Sequence, residues 1–299
     1  MRVPSDLVEH VAERWGVDDP AWEPILGAGE ECLVWALPEA EVVVRAAARH
    51  RSTSALRGVY RTVARLGTAV PEVCAPMLDR DGESVSMWSG HPVSLWPLVS
   101  GRHIDHRDDD RVAAAAALLA RLHAASAAVD DLHPGPVDPP IWPEPLRDAL
   151  LDERLDALSV DAAYSRGIVH GDFYPRNILD DPHGMLNLID WDELHTDWYA
   201  AETAWAIWEF THDRDTGLVD MSRARRFLAA YTAAGGQAID WPTITVLIRR
   251  RLRREIADAF IAGTADSPYT RKELAAFDQL AKSSQQEHEP SVLQRIVAV

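Results

Sequence analysis

Cysteine is nearly absent: Cys32 and Cys74 are the only two in 299 residues. Two thiols cannot build a disulfide framework, and neither sits at zinc-ligand spacing. Long apolar runs are missing as well. The longest, Val112 to Ala120, is nine residues and mostly Ala, far short of the ~20 that a membrane helix needs. The opening stretch MRVPSDLVEHVAERWG has no apolar core of signal-peptide length. Basic residues are outnumbered, with 30 Lys and Arg against 47 Asp and Glu and a net charge of −17. Such a surface disfavours nucleic acid and anionic membrane and attracts cationic ligands. Repeats and low-complexity tracts are also lacking. These absences lead to the expectation of a soluble, reduced, cytoplasmic protein with no nucleic-acid and no membrane partner. Oligomeric state stays open.

Apolar residues make up 47% of the chain, ample for a core and incompatible with disorder. The length suits one large domain or two lobes sharing a cleft. Ser5 is placed to cap a first helix with Leu7, Val11 and Trp15 on its apolar face and Gly16 at its end. From Trp22 to Leu98 the texture is strand-like. Trp22–Leu26, Cys32–Leu37 and Val42–Arg45 read as strands, and Ser84–Trp88 with Pro92–Leu98 as a hairpin. A helix over Ser54–Leu66 interrupts them. Beyond Gly101 the texture turns helical, with Val112–Ala125 opening that region and a Pro-rich loop over His133–Pro145. The expected fold class is α+β: residues 1–98 form a β-rich N-lobe, and residues 99–299 a mostly helical C-lobe holding one functional hairpin.

That hairpin is VHGDFYPRNILDDPHGMLNLIDWDE, Val169 to Glu193. Two apolar runs, Ile178-Leu179 and Met185 to Ile189, flank the breaker cluster Asp180 to Gly184, which reads as strand, turn, strand. The returning strand then sets Asn177 and Asp190 roughly opposite each other, with Asp172 just upstream. Two carboxylates this close repel unless a cation lies between them. Phosphoryl transfer needs such a set: a carboxylate to take a hydroxyl proton, and a carboxamide with a second carboxylate to hold Mg²⁺ against nucleotide phosphates.

His170-Gly171-Asp172, Asn177 and Ile189-Asp190-Trp191-Asp192 together resemble the catalytic signature of the aminoglycoside phosphotransferase and choline-kinase-like family. The resemblance implies a protein-kinase-like two-lobe fold. It also implies Asp172 as catalytic base, His170 as the brace of its loop, and Asn177 and Asp190 as ligands of Mg²⁺. Leu122-His123 matches a family landmark at a helix end, and Glu202 stands where the family usually has a structural Asp. The implied activity is transfer of the γ-phosphoryl group of ATP or GTP to a hydroxyl of a small, cationic substrate. Antibiotics, aminoglycosides especially, are the leading acceptors, with choline- or homoserine-type metabolites as the alternative. Gly171 replaces the Arg that protein kinases carry, and little chain is left after Asp190 for a peptide-binding segment. Both features disfavour a protein kinase.

Several further residues join the expected site. Gly27 and Gly29 form a glycine-rich turn whose backbone N–H groups can approach phosphate. Arg45, at a strand end, occupies the place of the ATP-binding Lys, and a guanidinium can fork onto phosphate oxygens. Pro97 and Val99 occupy the expected hinge, their backbone offered to the base. Asp192 and Glu193, next to the metal ligand, are candidate contacts for a cationic substrate. One departure stands out. No acid occurs between Ala46 and Pro71, so the helix glutamate that holds the kinase Lys has no counterpart. Arg45 is then held by another acid, such as Glu30 or Glu31, or by none. An unanchored Arg45 keeps open a nucleotide-binding regulator that does not turn over.

Three other signals have plainer readings. Trp205 and Trp208 share a helix face and belong to a core. His103, Asp105 and His106 form a charged loop rather than a metal site. Arg249 to Arg254 alternate with Ile248, Leu252 and Ile256, which predicts an amphipathic helix with a basic outer face able to pair with the acidic stretch 190–220.

Overall fold

The computed structural model describes residues 3–25, 32–213 and 218–286. Gly27, Gly29, Glu30 and Glu31 lie outside the described residues. Along the chain run α1 (Ser5–Trp15), β1 (Glu23–Pro24), β2 (Cys32–Leu37), β3 (Val42–Ala47), α2 (Thr53–Ala69), β4 (Ser86–Trp88), β5 (His91–Pro97) and β6 (Arg102–His103). There follow α3 (Asp109–Ser126), α4 (Ala149–Ser159), β7 (Arg166–Val169), β8 (Ile178–Asp180), β9 (Leu186–Leu188) and β10 (His195–Trp198). The helices α5 (Tyr199–Thr211), α6 (Met221–Ala233), α7 (Trp241–Ile261) and α8 (Pro268–Gln286) complete the chain as described. No described helix is long and apolar enough to cross a membrane.

The architecture is an antiparallel-sheet N-lobe and a helical C-lobe, divided into two compact units. The first gathers the residues up to Asp105, Ala124–His133 and His170–His195; the second gathers His106–His123, Pro134–Val169 and the chain from Thr196 on. The hairpin therefore packs within the first unit, with the sheet.

In the first unit the strands order as β1-β2-β3-β5-β4, all antiparallel. Period-two alternation sorts their faces. Val42, Val44 and Ala46 of β3 and Val93 and Leu95 of β5 point into a core with Leu7 and Val11 of α1. The intervening residues face the other way, which sets Arg45 opposite Ser94 on the second face. There α2 packs: Leu56, Val59, Tyr60, Val63 and Leu66 recur at helical spacing and are buried, and Tyr60 meets Trp96 edge-on at 4.8 Å. Ser52 caps α2 by accepting from the Ala55 N–H at 3.3 Å. Pro4, rather than Ser5, occupies the cap position of α1.

The hairpin joins β6 in a three-stranded sheet, β6-β8-β9. It is stitched to residues 72–74 through Leu188, whose N–H donates to Glu72 O at 2.7 Å and whose carbonyl accepts from Cys74 N at 3.1 Å. At its tip Asp181 O accepts from Gly184 N, and Asp181 N donates to Met185 O, both at 3.0 Å.

The second unit is built around α5, which is buried along nearly its whole length and packs against α6 and α7. Trp205 and Trp208 lie in this core with their rings stacked at 6.4 Å. Leu122-His123 and Glu202 come together here. His123 bonds Glu202 through Nε2 and the Tyr231 hydroxyl through Nδ1, each at 2.8 Å, and stacks on Tyr199.

The basic run of α7 corrects the expectation of an outer face. Arg249, Arg253 and Arg254 are buried and pair with Asp148 at 2.6 Å, with Asp152 at 2.6 Å and with Asp138. A guanidinium enters a protein interior when a carboxylate meets it, and α4 with the loop before it supplies those acids. Arg250 pairs into the acidic stretch, to Asp197 at 2.8 Å.

Candidate active site

The site begins at Gly171, whose backbone is left-handed (φ 86°). A Cβ at this position would lie 2.1 Å from Glu193 O and 2.9 Å from His195 Nδ1. Only glycine lets the loop turn against the chain that follows the hairpin. His170, fully buried, spans the two arms. Its Nε2 meets Ile189 O at 3.0 Å, and its Nδ1 accepts from Asp172 N at 3.3 Å. A carbonyl on one nitrogen and an N–H on the other select the Nε2–H tautomer. The ring also packs on Trp191 at 4.4 Å. His170 thus ties the turn at Gly171 to the end of the returning strand.

Asn177 ends a 3-10 turn, Pro175–Asn177, and is buried. Its Nδ2 donates to the backbone carbonyl of Asp172 at 2.9 Å and to Oδ2 of Asp172 at 3.0 Å. With the nitrogen so engaged, the amide oxygen faces the other way, available as a hard ligand. The Asn177 carbonyl accepts from Ile189 N at 2.9 Å, so Asn177 stands opposite Ile189, one residue short of Asp190. Asp190 itself has φ 63°, a conformation a non-Gly residue adopts at a price in strain and one that clusters at functional sites. Its carboxylate is 40% exposed.

Asn177 and Asp190 offer one amide oxygen and one carboxylate. Among the described residues no group of three or more His, Cys, Asp or Glu is arranged to hold a metal alone. That donor set fits Mg²⁺, which usually takes one or two carboxylates and completes its shell with phosphate oxygens and water.

Arg45 answers the departure noted in the sequence. Its guanidinium contacts Asp190 at 2.9 Å and Asp192 at 3.1 and 3.4 Å. Burial opposes its charge, but Asp192 first and then Asp190 hold its pKa well above the ordinary value. Asp192 also accepts from the Tyr60 hydroxyl at 3.0 Å. Burial and then the Asp192 charge push the Tyr60 phenol up. Cys32 lies 3.7 Å from the guanidinium, and burial raises its thiol, which leaves it a poor nucleophile.

The two acids expected to meet substrate lie elsewhere in this network. Asp192 is 14% exposed with both oxygens already met by Arg45 and Tyr60. Glu193 is exposed and pairs with Arg51 at 3.6 Å, which also donates to Asp192 O at 2.9 Å. Pro97 closes β5 opposite Val42, and Val99 follows two residues on. Tyr60 and Arg51 were not foreseen. Tyr60 reads as one more apolar residue of α2, and its only signal was the lack of any acid around it.

A model of the phosphotransferase enzyme family matches residues 25–245, which contain the whole hairpin. The chain belongs to that family. Homoserine kinase from Pseudomonas aeruginosa is 29% identical over 204 residues, a match spanning 62% of this chain and 64% of that protein. Just under two thirds of the relative's length is therefore accounted for. Among solved structures, an amicoumacin kinase in complex with AMP-PNP and Ca²⁺ superposes with a TM-score of 0.69 at 15% identity, covering 96% of this chain and 94% of its own. Choline kinase from Streptococcus pneumoniae gives 0.65 at 14% identity, covering 94% and 98%. At such identities the likeness speaks for the kinase-like fold of the family.

Proposed function

We propose that this protein transfers the γ-phosphoryl group of ATP, or of GTP, to a hydroxyl of a small molecule. The observation that carries the reading is the Asn177 amide bonded to Asp172 within a loop that closes beside Asp190. A base aimed by the same residue that offers a metal oxygen is an arrangement suited to phosphoryl transfer. Asp172 takes the acceptor's O–H proton while that oxygen attacks the γ-phosphorus. The bond to the bridging oxygen breaks, and the nucleoside diphosphate leaves. Asn177 and Asp190 would hold Mg²⁺, which when bound neutralises charge on the phosphates. Arg45 adds a fixed positive charge to that end of the site, and Gly27 and Gly29 are the proposed flap. Pro97 and Val99 are proposed to offer backbone groups to the base.

For the acceptor, the relatives favour a small amino alcohol of metabolite size, because the homoserine kinases match in sequence. The antibiotic kinases match at the level of fold, which keeps an antibiotic hydroxyl as the second reading. The net charge of −17 suits a cationic acceptor of either kind. The test is nucleotide consumption with MgCl₂ over a panel of amino alcohols, choline-like compounds and hydroxylated antibiotics. Turnover on one class above the no-acceptor background identifies the substrate. Nucleotide binding without turnover on any acceptor would instead favour a regulator.

A further inference from the structure

Arg45 has two acids within reach, and they are not equivalent. Asp190 touches the guanidinium at one point and is 40% exposed. Asp192 meets it with both oxygens, is 14% exposed, and is itself gripped by the Tyr60 hydroxyl. Tyr60 is in turn fixed. It is 2% exposed on the inner face of α2 and lies edge-on against Trp96, whose ring is 5.9 Å from the guanidinium. A carboxylate needed elsewhere during the reaction is a poor post for a cation; a buried one with a second partner is a good post.

We propose that Tyr60 and Asp192 form a relay from α2 that anchors Arg45 toward the nucleotide phosphates, doing the work of the acid that α2 lacks. Asp190 is the exchangeable contact and Asp192 the permanent one. Tyr60 and Asp192 are positioning residues: neither needs to touch the nucleotide. The proposal rests on the kinase reading above and assigns residues to it.

The test is calorimetric titration of the full-length protein with Mg·ATP and with adenosine, and with the guanine pair in parallel. Tyr60→Phe should weaken ATP binding about tenfold, the scale of one lost hydrogen bond to a charged group, while adenosine binding stays within about twofold. Arg45→Ala should weaken ATP further. The double variant should bind ATP no worse than Arg45→Ala alone, because the relay acts only through Arg45. Asp192→Asn in place of Tyr60→Phe reads the same cycle if the first variant folds poorly. The relay is refuted if the losses in the double variant multiply, if Tyr60→Phe leaves ATP affinity unchanged, or if it weakens adenosine as much as ATP. A wild-type protein that binds neither triphosphate overturns the kinase reading itself, an outcome distinct from those three.

Discussion

A carboxylate acting as a base has to be aimed before its basicity counts. For Asp172, the proposed base, the aim comes from Asn177 and from the backbone turn at Gly171. If Asp172 is the base proposed above, Asp172→Ala should lower phosphoryl transfer by about 10²- to 10⁴-fold, with Mg·ATP affinity kept within about twofold, since the proposed role is toward the acceptor. Turnover near wild type would show that the base has been misassigned. Gly171→Ala tests the turn. The added Cβ would collide with backbone at Glu193 in a left-handed conformation, so the variant should lose about 2–4 kcal/mol of stability, read from denaturant midpoints. The glycine was legible in the sequence as part of a motif. The reason for it was not, because Glu193 O is an obstacle that only the folded loop brings near.

At the scale of elements, charge buried between helices makes stability depend on pH. Glu273 of α8 is 7% exposed; burial first, and then the charge of Glu255 on α7, push its carboxyl up to about 8. An unfolded Glu titrates near 4.3. Between those values the folded chain holds a proton that the unfolded chain has lost, so stability falls as pH rises through that window. Glu273→Gln should therefore raise Tm by several degrees at pH 8.5 and leave it nearly unchanged at pH 4, as thermal unfolding across that range would show. The strands β2, β3 and β5, the helices α2 and α3 and the hairpin of β8 and β9 were all readable from periodicity and turn residues. The inward turn of α7 was not. Its arginines alternate with apolar residues as a solvated face would, and only acids more than a hundred positions upstream make burial tolerable. The short strands β6, β7 and β10 were missed for a related reason: each is two to four residues long and exists through its partner.

For the molecule as a whole, a net charge of −17 sets a field that any ligand crosses before it reaches the site. A cationic acceptor should show kcat/KM falling several-fold as NaCl rises from about 0.02 to 0.3 M, as screening removes the attraction. A neutral acceptor should show little change. Steady-state kinetics on paired acceptors of similar size would separate the two.

The contact between Tyr60 and Asp192 also bears on how such chains can diverge. Two positions 132 residues apart serve one guanidinium, so neither drifts alone. Among homologues, chains with an acid on the second helix should be released from keeping one at the position of Asp192. Chains without it should keep the phenol and the aspartate together, a pattern of reciprocal exchange that sequence comparison can count.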